Sequence, residues 1–338
     1  MIKEAFITSF LLLASIILGS LAGLTVEGID VISNYVDYLI LALIFLVFVD
    51  VPINKLKSVI KQPKALLVAW LTNFLILPFL GYGLTQLFLP NQPLVAIGLA
   101  VYFMSPCTDW FLGFTRMAKG NTALGSILLP INMLTQLMLY PFFVAWFSQN
   151  TIASISASDI FSTVTDWFII PVLCAAMIKV ISIKIPVLTS TLSMMTNWII
   201  YALVFAIFAV NVHKIMDNLS IFAIVLMTVV AFFAISLVIT ETLARTMKLQ
   251  RDNHILYTMT TTARNAPLML GLTMIALPNE PLIYAALIIG MLIEFPFLTL
   301  QVLRFNATDA LDKNDSVSAE ASSKNNLTGE SEPAIIAH

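Results

Sequence analysis

The residues able to do chemistry in this chain stand in the middle of apolar runs. Ser105-Pro106-Cys107-Thr108-Asp109 interrupts the run 93–117, and Thr260-Thr261-Thr262-Ala263-Arg264-Asn265-Ala266-Pro267 interrupts the run 253–276. Glu294 lies inside a third run, 281–303. A charged side chain at the centre of a bilayer costs about 2.5–3.5 kcal/mol on insertion scales, so such residues mark substrate or ion pathways. Asp109, Glu294 and Arg264 together carry one more negative than positive charge when all are ionised, which one proton or one cation would neutralise. Cys107 offers a soft thiolate, the ligand that suits a soft metalloid such as trivalent arsenic. The same thiol would also serve as a small buried hydrophobe. Arg264 brings a permanent charge and five donors. It can hold an anion, replace a coupling cation, or simply balance Asp109. Asn73 and Asn132 are amides inside apolar runs, either site ligands or ties between helices.

These residues need elements that hold them at depth. The chain has 338 residues, 59% hydrophobic and 11% charged, where a soluble domain carries roughly 25% charged residues. Ten apolar runs of spanning length follow one another: 5–26, 36–53, 65–89, 93–117, 122–148, 158–181, 190–212, 220–245, 253–276 and 281–303. They are continuous rather than alternating, so the expected fold is all-α and membrane-embedded, not a barrel. The first run follows a short basic start, as a signal peptide does. Its near-spanning length and the helix count favour an uncleaved first helix.

Ten spans divide into two sets of five, 1–152 and 153–305, and an odd number per half inverts the second half relative to the first. The interrupted fourth and ninth spans then occupy corresponding positions. So do the fifth span, with Asn132 and Gln136, and the tenth, with Glu294. Paired interrupted helices point to a transport site at the midplane.

Placing the N-terminus inside puts 15 of the 17 lysines and arginines on inner loops and tails, which satisfies the positive-inside rule. Both termini are therefore expected in the cytoplasm and the protein in the cell membrane. Asp50, Asp166 and Glu241 fall near span ends, where water reaches them. Residues 306–338, rich in Ser, Ala, Asn, Asp and Glu, predict a disordered tail.

Several function classes find no support. No phosphate-binding G-x-x-x-x-G-K-[ST] loop, G-x-S-x-G, H-E-x-x-H or Cys-x-x-Cys occurs, so neither an enzyme nor a cofactor is expected. The three histidines lack metal-ligand spacing, and a net charge of -2 gives nucleic acid no basic face. Cys107 and Cys174 read as free thiols. Gly19 and Gly23 form a G-x-x-x-G, a pattern common by chance.

The order and spacing of the motifs resemble the bile acid/sodium symporter superfamily, and within it the arsenical-resistance permeases. The resemblance rests on Asn73 to Pro78, Ser105-Pro106-Cys107-Thr108, Lys119-Gly120-Asn121, Asn132, Ala263-Arg264-Asn265 and Glu294-Phe295-Pro296. It implies a panel group of helices (first, second, sixth, seventh) and a core group holding the crossed fourth and ninth. It also implies a metalloid-binding role for Cys107. Positions that hold sodium in coupled relatives correspond to Phe111, Leu112, Gly125, Leu129, Thr260 and Arg264, and most of these cannot coordinate sodium.

The expected function is secondary transport, arsenite or antimonite efflux by proton antiport, at a site made of Asn73, Cys107, Thr108, Asp109, Asn132, Arg264, Asn265 and Glu294. The expected partners are the solute, a coupling proton and the bilayer. Two alternatives stand beside it: transport of an organic anion paired with Arg264, and a receptor or scaffold without transport.

Overall fold

The computed structural model describes residues 2–50, 63–107, 110–148, 157–182 and 186–327. Every regular element among them is helical. Helix α1 spans Ile2–Thr25, and a short 3-10 turn, Ile29–Ile32, leads into α2, Ser33–Asp50. Helices α3 (Pro63–Leu71) and α4 (Leu77–Phe88) are one rod with a π-helical turn, Thr72–Ile76, between them. The cause is local: Pro78 has no N–H to give the carbonyl of Phe74, so the hydrogen-bond ladder shifts just before it.

The expected fourth span falls on two helices, α5 (Pro93–Phe103) and α6 (Trp110–Met117), and the expected ninth likewise on two, α11 (Arg251–Thr262) and α12 (Ala266–Ala276). The remaining helices are α7 (Thr122–Ser148), α8 (Ala157–Ser182), α9 (Pro186–Met216), α10 (Leu219–Thr246) and α13 (Pro281–Leu327).

Among the described residues, six segments are long and apolar enough to cross a membrane: Ile29–Val49, Lys64–Phe88, Thr122–Ser148, Met194–Met216, Leu219–Thr246 and Pro281–Thr308. Shorter apolar helices cover Phe10–Thr25, Pro93–Phe103, Ile169–Ile181 and Ala266–Ala276. Each expected span overlaps one of these segments, six of them of full spanning length and four shorter. Large apolar side chains such as Phe10, Tyr38, Ile170, Met194 and Trp198 are exposed, as a lipid-facing surface requires. This is a multi-pass membrane protein.

Helices α1, α2, α8 and α9 pack chiefly on one another, and the remaining helices chiefly on one another, except that α12 packs against α2 and α8 as well as against α13. The Gly19 and Gly23 pair belongs to the first set. A Cβ on Gly19 would lie 2.5 Å from the Phe205 carbonyl oxygen, and one on Gly23 2.2 Å from that of Ala209, so both glycines let α1 lie against the α9 backbone. In the second set α5 is central. Val95 to Phe103 are all buried, which fits a helix apolar all round.

Helix α13 runs past its span to Leu327. The backbone of 306–327 is thus helical where composition predicts no structure, and 328–338 lie outside the described residues.

Candidate functional site

The two interruptions meet. Pro106 and Arg264 form an isolated antiparallel β-bridge, in which the Cys107 N–H donates to the Ala263 carbonyl and the Asn265 N–H to the Ser105 carbonyl, each at 2.9 Å. Each proline explains its own break. The residue before a proline is pushed out of the α region, and Pro267 is well placed in the first turn of α12 because its missing N–H would have no partner there. Two unwound segments at membrane depth must satisfy their own backbone groups, and here they do so with each other. Asn265 completes the junction, its side chain accepting from the Leu268 N–H as the N-cap of α12.

Arg264 fills the space beside the bridge. It is 1% exposed. Nη1 donates to the Phe103 carbonyl at 3.0 Å and Nε to that of Thr262 at 3.3 Å. Nη2 reaches the carbonyls of Thr261 and Thr260 and the Asn73 Oδ1, the last at 3.3 Å. The guanidinium also lies over the Phe232 ring, 5.9 Å from its centroid, and Phe232 stacks on Phe103 at 3.9 Å.

Phe103 ends α5, and Thr260 to Thr262 end α11. A helix C-terminus carries about half a negative charge, so two of them converging present about one. The guanidinium supplies one positive charge at that point. Among the described residues its hydrogen-bond partners are all uncharged.

Glu294 does not pair with the guanidinium. Its Oε1 accepts from the Arg264 main-chain N–H at 3.0 Å and its Oε2 from the Tyr102 hydroxyl at 2.9 Å, a hydroxyl also 3.0 Å from the Gly290 carbonyl. The carboxylate therefore ties α13 to the bridge and to α5. It sits just before the N-terminus of α12, whose dipole favours an anion.

Asn73 lies in the π-helical turn, where its Oδ1 meets Arg264 and its Nδ2 the Thr260 hydroxyl at 3.3 Å. Asn132 Nδ2 donates to the same hydroxyl at 3.3 Å. Cys107 is a buried thiol, in no disulfide, directly after the bridge.

The structure thus brings together Asn73, Cys107, Asn132, Arg264, Asn265 and Glu294. Thr108 and Asp109 lie outside the described residues, and with them the expected pairing of Asp109 and Arg264. Tyr102 was not singled out from the sequence. Its trace there is a tyrosine one turn before Ser105, the one hydroxyl in the stretch 93–104, with Gly290 one turn before Glu294 to admit its ring. Gln136, fully buried in α7, was noted from the sequence without a role.

A search of curated proteins gives no match. The profile of the Sodium Bile acid symporter family matches residues 38–240, which takes in the first interruption and ends before Arg264 and Glu294. That match covers more than half of a multi-pass chain of apolar helices, and it shows that the protein belongs to the Sodium Bile acid symporter family of membrane transporters.

Proposed function

We propose that the protein is a secondary transporter that exports arsenite and antimonite across the cell membrane, driven by the proton gradient rather than by sodium. The two five-span halves are inverted repeats, both termini are cytoplasmic, and α1, α2, α8 and α9 form a panel against which the other helices rock. The observation that carries the reading is the occupant of the crossing. Carbonyl oxygens at the converging ends of α5 and α11 are hard, oxygen-only ligands of the kind that bind a small cation, and the Arg264 guanidinium takes them. A covalently held cation cannot be released with each cycle, so this position cannot exchange sodium.

Coupling then falls to a carboxylate. Glu294 accepts two hydrogen bonds with its two oxygens, so a proton on either oxygen would displace a donor and loosen α13 from the crossing. Asp109 is the second carboxylate of the proposed site. The Cys107 thiol, next to the bridge, is the soft ligand for a trivalent metalloid. An organic anion would need the fork of Arg264, and that fork is spent on the protein's own oxygens.

Efflux measured in cells challenged with arsenite tests the substrate. Cys107→Ser is expected to remain in the membrane at wild-type level and to lose arsenite resistance. Full resistance in that variant removes the thiol from the site.

A further inference from the structure

We propose that Gln136, together with the free side-chain oxygen of Asn132, forms a binding subsite for an uncharged, hydroxylated solute beside the break between α11 and α12. The inference rests on the transport reading above and names a subsite that reading does not use.

Asn132, Gln136 and Tyr140 are four residues apart on α7 and so share one face. Both ends of that stripe are anchored. Asn132 Nδ2 donates to Thr260 near the end of α11, and the Tyr140 hydroxyl bonds Thr273 of α12 at 3.1 Å. Gln136 lies between them on the same face of α7. It is 0% exposed, and both its Nε2 and its Oε1 lack a partner, as does the Oδ1 of Asn132.

A buried amide with neither end matched is costly. A leucine or methionine of similar size would fill the same space without that cost. Such an amide takes its partner from outside the protein chain, a fixed water or an entering solute, and a solute that displaces the water must reproduce its hydrogen bonds.

The chemistry of that partner follows from the groups on offer. Gln136 presents two N–H donors and an acceptor, and Asn132 adds a second acceptor. A solute that both donates and accepts through hydroxyls matches this set. An ion would need a counter-charge, but Arg264 and Glu294 are already engaged, with helix carbonyls, an N–H and a hydroxyl. Undissociated arsenous and antimonous acids are trihydroxides of this class. Boric acid is a member that needs no thiol.

Thermal unfolding of the purified full-length protein with arsenous acid, boric acid and phosphate, beside arsenite uptake by everted vesicles, tests the subsite. Gln136→Leu and the closer isostere Gln136→Met should unfold at a higher temperature than wild type without ligand. They should also lose the stabilisation by both uncharged acids and raise the KM for arsenite at least about tenfold, or 1.4 kcal/mol. Gln136→Asn should keep part of the response, and phosphate should do nothing in any variant.

Wild-type binding and wild-type KM in the leucine and methionine variants overturn the subsite and leave metalloid export standing. Gln136-dependent stabilisation by boric acid in a protein that moves no arsenite overturns metalloid export and leaves the subsite standing. A wild type stabilised by neither acid overturns the subsite outright.

Discussion

Two clusters of charge in this molecule are built on opposite principles. At the crossing, Arg264 and Glu294 are each 1% exposed, and each is matched by neutral groups: carbonyls and an amide for the cation, an N–H and a hydroxyl for the anion. Where α10 nears its end, α11 begins and α13 passes Arg304, Glu241 meets its counter-charges directly. It pairs with Arg245 at 2.8 Å and Arg304 at 3.2 Å and meets the His254 ring at 3.1 Å, with its side chain 22% exposed. The rim cluster is the ordinary solution where water remains available. The crossing is the solution where it does not, and it binds its charges to helix ends rather than to one another.

The largest expected effect breaks the buried side of the comparison. Arg264→Ala leaves the carbonyls at two helix ends without donors, and each buried acceptor left unsatisfied costs about 1–3 kcal/mol. If the guanidinium is a tethered cation, free guanidinium or sodium should recover part of the lost thermal stability in a saturable way. A variant indifferent to both cations would reduce Arg264 to a packing residue.

The next effect concerns the anion. Tyr102→Phe removes a hydrogen bond to a charged group, worth about 1.5–3 kcal/mol, and should lower the unfolding temperature accordingly. Gly290→Ala should act in the same direction, since an added Cβ would lie 2.7 Å from the Tyr102 ring. The smallest effect belongs to the rim. Glu241→Gln should cost less than about 1 kcal/mol, and the difference should fade near 1 M salt, where charges are screened within about 3 Å. A rim variant as damaging as the Tyr102 one would erase the distinction between the clusters.

Much of this was legible in the sequence because it depends on side chains that are expensive where they stand. Pro106 and Pro267 announce the two breaks, and Arg264, Glu294 and Asn73 stand out against apolar neighbours. The partners of Arg264 were not legible. An arginine near two carboxylates suggests ion pairs, while every residue carries a carbonyl and only the fold decides which helix ends converge. The β-bridge between Pro106 and Arg264 is hidden for the same reason, being made of main chain across a separation of some 158 positions. The Gly19 and Gly23 pair, too common a pattern to weigh alone, acquires meaning only from the α9 backbone opposite it. Gln136 reads like Asn132 in sequence, and only the anchoring of its two neighbours on the stripe reveals that it alone has nothing to hold.

The central claim is that a tethered arginine has replaced the exchangeable cation at the crossing, leaving a carboxylate to couple transport to protons. Arsenite uptake by everted membrane vesicles, driven in turn by an imposed pH gradient and by an imposed sodium gradient, tests it most directly. The account predicts uptake that collapses with the pH gradient and is unchanged when sodium is removed. A strict requirement for sodium would contradict it.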